Sequence, residues 1–187
     1  MVHWGDRFGF AFFILATVVA AITAISEPNL LVWLAVPQNA IIAVLYAVRN
    51  NETKSNRSGL WLGLIASILP MTHYPESIST TLLVIGLAGY ALILWSLLVL
   101  GRSFGIAPAD RGLVTRAPYN LVRHPMYLGE LVYRGAIVLA SLTLINVFLF
   151  LFMIGIQITR ICMEERIIDG YDDYRVVTHW RLLPGIW

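Results

Sequence analysis

Residues 123–166 read RHPMYLGELVYRGAIVLASLTLINVFLFLFMIGIQITRICMEER, and this stretch decides the fold. It begins with the polar cluster RHPMY at 123–127 and ends near a second polar cluster, RICMEE, at 160–165. The apolar run between them, residues 131–158, carries Arg134 as its only charge. Each half of this run is close to one bilayer in length, so a helical hairpin is the simplest arrangement. The hairpin would bring both clusters to one membrane face, where we expect the chemistry.

The composition of the whole chain points to a membrane protein. Of 187 residues, 58% are hydrophobic and 13% are charged, with a mean hydropathy of +0.75. Soluble domains carry about 25% charged residues. The length allows one helical bundle without a separate soluble domain of ordinary size. The single cysteine, Cys162, cannot form an internal disulfide, and its place near the end of an apolar helix favours a small core residue over a catalytic thiol.

The pattern predicts an all-α bundle of about six transmembrane helices. The predicted helices cover 8–26, 30–48, 59–72, 80–100, 126–141 and 146–168. The first follows a weakly charged head and lacks a small-x-small cleavage site, so we interpret it as a retained helix. Residues 1–101 would form an N-terminal four-helix region, and residues 102–187 a C-terminal unit of loop, hairpin and amphipathic tail.

The second predicted helix is interrupted by Pro37-Gln38-Asn39. Polar groups at membrane depth need partners inside the bundle. Two interpretations stay open for this tripeptide. It forms a kink with interhelical hydrogen bonds, which we favour, or it lines a cavity.

The basic residues indicate an orientation. With six crossings, 12 of the 13 lysines and arginines fall on one side, whereas the opposite loops carry Glu27 and Glu76. The positive-inside rule makes the basic side cytoplasmic. We therefore predict a multi-pass integral membrane protein with both termini in the cytoplasm, and we expect any soluble cofactor to arrive from there.

The loop at 101–120 is the longest predicted connection, and glycines and prolines break it throughout. Long loops without secondary structure of their own are commonly functional. The tail at 169–187 contains aromatic and basic residues and is typical of an amphipathic segment at the membrane interface.

The first polar cluster begins where this loop enters the membrane. Pro125 suits the first turn of a helix, and unpaired N–H groups at a helix start favour an anion such as a carboxylate. Arg123 and His124 could contact the same anion. The alternative is structural: Arg123 meets lipid phosphates and His124 caps the helix.

The second cluster places Arg160 and Glu164 four residues apart on one helix face, followed by Glu165. An arginine can grip a carboxylate with two parallel hydrogen bonds, and a glutamate can accept from an amine or a ribose hydroxyl. The alternative is a solvated salt bridge of little energetic value.

Glu130 and Arg134 form another four-spaced pair, within the fifth helix. Charges at that depth are costly unless they are paired or face a polar cavity. They form either a structural ion pair or the polar part of a substrate pocket, and the spacing predicts Tyr127 on the same face. The sequence has no metal-ligand spacing, phosphate-binding glycine loop or nucleophile elbow, and nothing indicates nucleic-acid binding.

Taken in order, several motifs resemble the isoprenylcysteine carboxyl methyltransferase family, in its bacterial and archaeal membrane branch, which is similar to phospholipid N-methyltransferases. The motifs are Leu113-Val114-Thr115, Pro118-Tyr119, Arg123-His124-Pro125-Met126-Tyr127-Leu128-Gly129, Arg160-x-x-x-Glu164-Glu165, and a closing Tyr-x-x-Tyr with Leu183-Pro184. The resemblance covers about residues 103–187. It departs from the family in a short segment after Glu165 and in Arg111 before the Leu-Val pair.

The resemblance implies an S-adenosylmethionine-dependent enzyme whose cofactor is held by the hairpin and the preceding loop. The implied cofactor-binding residues are Arg111, Gly112, Leu113, Val114, Tyr119, His124, Pro125, Met126, Tyr127 and Glu164. Arg160 would face the acceptor and orient it as the catalytic residue. Glu130 and Arg134 are the further candidates for substrate binding.

These inferences lead to a membrane methyltransferase that acts on a lipophilic small molecule or a lipidated substrate among the membrane lipids. We expect O-methylation of a carboxylate, in preference to N- or S-methylation. Two other classes stay open. The first is an NADPH-dependent reductase, because sterol reductases have a similar C-terminal region, and the second is a non-catalytic lipid-binding protein.

Overall fold

The computed structural model describes residues 4–26, 30–52, 54–55, 57–68 and 77–187. Eight α-helices lie in this part of the chain. They are α1 (Trp4–Ser26), α2 (Leu30–Trp33), α3 (Ala35–Val48), α4 (Arg57–Ile68), α5 (Thr80–Leu100), α6 (Pro125–Ala140), α7 (Leu144–Ile167) and α8 (Tyr171–Val177). A 3₁₀ turn (Gly101–Ser103) follows α5, and two short strands, β1 (Lys54–Ser55) and β2 (Ala109–Asp110), pair in antiparallel fashion. The predicted all-α class is confirmed.

Three described helices are long and apolar enough to cross a bilayer: Arg7–Ser26, Thr80–Ser103 and Leu144–Ile167. Large apolar side chains are exposed along them, and Leu144 reaches 91% exposure. Such surfaces suit lipid, so the chain is an integral membrane protein. Helices α3, α4 and α6 have 14, 12 and 16 residues, and the count of six crossings stays a prediction. Glu27 and Glu76, which the sequence places in the opposite loops, lie outside the described residues.

The break in the second predicted helix lies at Leu34, ahead of Pro37. Proline lacks an N–H and its ring clashes with the carbonyl four residues earlier, so a helix is interrupted on the N-terminal side of a proline. Pro37 therefore falls in the first turn of α3, where it is tolerated. Because α3 begins anew at Ala35, its orientation determines where the side chains of Gln38 and Asn39 lie.

Helices α5 and α6 form the most extensive helix contact in the described chain. Gly86 and Gly89 are buried, because they share the face of α5 that meets α6, while Ala88 and Ala91 lie on its exposed side. A Cβ added at Gly89 would lie 2.7 Å from the backbone nitrogen of Tyr133 and 2.8 Å from the carbonyl oxygen of Gly129. Backbone atoms cannot move aside cheaply, so this close approach requires glycine.

We expect Gly89→Ala to lower the free energy of unfolding by about 2 kcal/mol, because overpacking would separate α5 from α6. Thermal unfolding of the purified protein in detergent measures the change. Gly155→Ala is the matched control, since Gly155 also lies in a helix and an added Cβ there meets nothing within 4 Å. The control should be neutral or stabilising by up to about 1 kcal/mol. Equal melting temperatures for both variants would contradict the close packing.

The β1–β2 pairing connects the hydrophilic loop after α3 to the long loop before α6. Lys54 pairs with Asp110, and the ammonium of Lys54 lies 2.5 Å from Asp169 at the start of the tail. The side chain of Asp110 accepts hydrogen bonds from the backbone of Gly112 and of Asp169. These contacts hold three segments together at one end of the bundle: the loop after α3, the long loop before α6 and the start of the tail.

Candidate active site

The two polar clusters meet, as the hairpin arrangement predicts. Helices α6 and α7 are antiparallel neighbours, and Nδ1 of His124 lies 3.6 Å from the carboxylate of Glu164. The hydroxyl of Tyr127 donates a hydrogen bond to Glu164, and Nη1 of Arg123 lies 3.3 Å from Glu165. His124 stands at the N-cap of α6 but its side chain makes no capping hydrogen bond, so the capping alternative is wrong.

A pocket opens beside these contacts, with about 720 Å³ of space including its mouth. Nine residues proposed for the cofactor line it: Arg111, Gly112, Leu113, Val114, Tyr119, His124, Met126, Tyr127 and Glu164. Pro125 does not line the pocket, because as the first residue of α6 it is fully buried in the helix start. We call this cavity the outer pocket.

The outer pocket contains charges of both signs and neutral phenols. Arg111 is buried and lies 2.5 Å from Glu52, which comes from the loop after α3. Burial raises the pKa of Tyr119 and of Tyr171 well above the usual range, and it raises the pKa of Tyr174 to about 12. These phenols therefore stay protonated at neutral pH and act as uncharged hydrogen-bonding groups beside a carboxylate and two guanidinium groups.

Glu165 does not line the outer pocket and instead fastens the tail. Its carboxylate accepts two hydrogen bonds from Arg181, at 2.9 and 2.7 Å, and one from the hydroxyl of Tyr171 at 3.1 Å. Because that hydroxyl donates to Glu165, it accepts from Nε2 of His124 at 3.0 Å. The hydrogen bond to Glu165 also raises the pKa of Arg181. The tail thus positions the ring of His124.

We expect Glu165→Gln to loosen this tail. The neutral amide loses the ionic attraction of Arg181 and Arg123, and a lost charged hydrogen bond of this kind costs about 2 kcal/mol. Limited proteolysis should then cut after Arg175 or Arg181 sooner than in the wild type. Asp172→Asn is the matched control, because Asp172 is exposed and pairs only with Arg175 in the described chain. Equal cleavage rates would contradict the fastening role.

A second cavity lies deeper between the helices, with about 560 Å³ of space, and we call it the inner cavity. Arg160, Glu130 and Arg134 line it, which is where the sequence proposes acceptor binding. Arg134 lies 3.3 Å from Glu130, and Glu130 accepts a hydrogen bond from Gln157. Glu130 and Arg134 therefore form an ion pair and also line a cavity, so both alternatives from the sequence hold for them.

Arg160 is only 5% exposed, and its surroundings fix its direction. Nη2 donates to the carbonyl of Ile106 at 3.0 Å, and Nη1 donates to the side chain of Gln157 at 3.3 Å. The guanidinium stands over the ring of Tyr127, 4.9 Å from its centre. Nε of Arg160 is buried and has no hydrogen-bond partner within the described ranges. A buried guanidinium with spare donor capacity can bind an anion.

Met126 lines both cavities, so its side chain forms part of the wall between them. Tyr127 shares the α6 face that meets α7 with Glu130, as the spacing predicts, but it opens to the outer pocket. The residues proposed for cofactor and for acceptor therefore lie on opposite sides of one thin partition.

Several lining residues escaped the sequence analysis. Tyr171 and Tyr174 line the outer pocket, and their i, i+3 spacing in the Tyr-x-x-Tyr motif was the available signal. The turn Gly105-Ile106-Ala107 gave no signal, because its role depends on long-range contacts. Glu52, which lines neither cavity but lies 2.5 Å from Arg111, gave none for the same reason. Gln38 and Asn39 line the inner cavity, so the favoured interpretation as a kink was incomplete. Asn39 makes one interhelical hydrogen bond, at 3.5 Å to the carbonyl of Ala16.

Comparison with known proteins gives one finding. The family model described as phospholipid methyltransferase matches residues 77–171, which are 95 of the 187 residues. The matched segment runs from the residues before α5 to the start of α8 and includes both polar clusters. No curated protein and no solved structure matches the chain.

Proposed function

We propose that this chain, which belongs to the phospholipid methyltransferase family and is a membrane methyltransferase acting on a lipid-like substrate, uses S-adenosylmethionine to methylate a carboxylate on a lipophilic acceptor. The cofactor would occupy the outer pocket and the acceptor the inner cavity. The observation that carries this proposal is that two polar cavities adjoin at Met126. One is open at the loop end of the bundle and the other lies among apolar helices.

The residues of the outer pocket fit S-adenosylmethionine. Its amino-acid end has an ammonium and a carboxylate, which the pocket can match with Glu164 and with Arg111 or Arg123. The side chain of Glu164 is 18% exposed and lines the pocket, and Nε of Arg123 is buried without a hydrogen-bond partner in the described chain. Tyr119, Tyr171 and Tyr174 offer aromatic surface to an adenine ring.

When bound, S-adenosylmethionine supplies an electrophilic methyl group, whose bond to sulfur breaks as a bond to the acceptor oxygen forms, with the sulfur keeping the electron pair. The protein's own task is alignment, since an in-line displacement needs the reacting groups in near contact. Arg160 would hold the carboxylate through hydrogen bonds. A carboxylate is already ionised near neutral pH, so no side chain has to act as a general base.

The orientation follows from the same proposal. The outer pocket is built from the loop between α5 and α6 and from the tail, which together contain most basic residues of the C-terminal half. By the positive-inside rule this end faces the cytoplasm, where a soluble cofactor is available. A lipophilic acceptor would enter sideways from the bilayer.

A second candidate is N-methylation of an amino-phospholipid head group. The description of the matching family favours it, and Glu130 would offer a carboxylate to an ammonium. Two arginines line the inner cavity against one glutamate, and that glutamate already binds Arg134 and Gln157. This excess of positive charge favours an anionic acceptor.

Thermal stabilisation by cofactors tests the proposal. A ligand that binds only the folded state at 100 times its dissociation constant stabilises it by about 2.7 kcal/mol. We expect S-adenosylmethionine to raise the melting temperature of the purified protein and NADPH to leave it unchanged. Stabilisation by NADPH alone would favour the reductase, and no stabilisation by either would favour a non-catalytic lipid-binding protein.

A further inference from the structure

The inner cavity has a wall that the function proposed above does not use. Gln38 and Asn39 of α3 line it, together with Ser67 of α4. These residues precede the segment that matches the family model, which starts at residue 77. The part of the cavity that faces away from α6 and α7 is therefore specific to the N-terminal helices of this chain.

Gln38 is the residue of that wall with open hydrogen-bonding capacity. Its amide has both a donor and an acceptor, and within the described part of the chain it makes no hydrogen bond. The hydroxyl of Ser67 donates to the carbonyl of Gly63 at 2.8 Å, and Asn39 donates to Ala16. The side chain of Gln38 is half-buried, so its amide is accessible from the cavity. A ligand group that pairs with this amide would gain a hydrogen bond for which no protein group competes within the described part of the chain.

The opposite wall has a different chemistry. Arg160 and Arg134 provide positive charge there, with Glu130 between them in the hydrogen-bond network. An acceptor bound with its anion at Arg160 would thus present its adjacent atoms to the α3 wall. Gln38 cannot neutralise a charge, but it can pair with an uncharged group that both donates and accepts.

We propose that Gln38 is a specificity-determining residue for the acceptor, and that it binds an amide or a hydroxyl next to the methylated group. This inference rests on the proposed function, because it assigns the inner cavity to the acceptor. A site that hydrogen-bonds a substrate group rejects analogues that lack it, since the site's own polar group is then left unpaired. Simple lipophilic acids without such a group are accordingly poor acceptors.

The first test identifies the product. Purified protein in lipid nanodiscs receives a total membrane lipid extract and methyl-labelled S-adenosylmethionine, and the labelled lipid is analysed by mass spectrometry. An amide or a hydroxyl within a few bonds of the new methyl group supports the proposal, and a product without either overturns it. Absence of both product and S-adenosylmethionine binding would overturn the proposed function, and the role of Gln38 with it.

The second test measures what Gln38 contributes. With the identified acceptor, Gln38→Leu should raise the acceptor KM about tenfold while leaving S-adenosylmethionine binding unchanged, and Gln38→Asn should recover part of the loss. Unchanged cofactor binding shows that the variant is folded. Val44→Leu is the control, because Val44 lies on the exposed face of the same helix. An unchanged acceptor KM in Gln38→Leu would mean that Gln38 binds only water and would overturn the proposal.

Discussion

Glu164→Ala is expected to weaken S-adenosylmethionine binding about 100-fold, which is the loss of one buried charged hydrogen bond. The carboxylate lines the outer pocket, and its neighbours hold it in place. Tyr127 donates to it, and His124 stands 3.6 Å away. Equilibrium binding of labelled S-adenosylmethionine to purified protein measures the effect.

Two further variants make this result specific. Glu164→Gln keeps the shape of the side chain and removes its charge, so it should lose most of the affinity as well. Asp173→Ala removes an exposed carboxylate from α8 and should bind S-adenosylmethionine like the wild type. If Glu164→Ala bound S-adenosylmethionine with wild-type affinity, that result would contradict the assignment of the outer pocket to this cofactor.

Arg160→Ala should show the opposite pattern to Glu164→Ala, with methyl transfer lost and cofactor binding retained. We expect methyl transfer to fall roughly 1,000-fold, because the acceptor loses its anchoring guanidinium, while S-adenosylmethionine still binds. Arg160 lines the inner cavity and not the outer pocket, and its guanidinium stands over the ring of Tyr127 with Nη2 4.0 Å from Glu164. Rates of methyl transfer at saturating cofactor, together with cofactor binding, separate the two effects.

Arg160→Lys keeps the positive charge but cannot form two parallel hydrogen bonds, so it should rescue only a small part of the rate. Arg175→Ala is the matched control, since Arg175 is an exposed arginine paired with Asp172. Loss of cofactor binding and of transfer together in Arg160→Ala would show that the two cavities are one site. That outcome would contradict the division of roles across Met126.

The longest elements could be predicted from the sequence because hydrophobic length alone determines them. Helix α5 begins and ends where the apolar run at 80–100 does, and α7 follows the second arm of the hairpin closely. The break at Leu34 could not be placed, because the effect of Pro37 is exerted on the preceding turn. An apolar composition does not distinguish a helix that crosses the bilayer from a short helix buried inside the bundle. The short helices α3 and α4 therefore leave the number of crossings undecided.

The candidate site was predictable where its residues lie close to the hairpin. Tyr127 and Glu164 follow from two helices that must meet at their polar ends, and the structure joins them. Glu52 was not predictable, because its contact with Arg111 spans 59 residues and depends on the β1–β2 pairing. Gln38 was ambiguous for a similar reason. A polar residue in an apolar helix faces either a neighbour or a cavity, and only the packing of the other helices decides which.

Transfer of a labelled methyl group into lipid tests the central claim most directly. Membranes with and without the protein receive methyl-labelled S-adenosylmethionine, and the lipid extract is then treated with alkali, which hydrolyses methyl esters and leaves N-methyl groups intact. We predict protein-dependent label in the lipid that alkali releases as volatile methanol. Label that survives alkali would exclude a methyl ester and replace the carboxylate with an amine, thiol or hydroxyl acceptor. An extract with no more label than membranes lacking the protein would contradict methyl transfer to a lipid altogether.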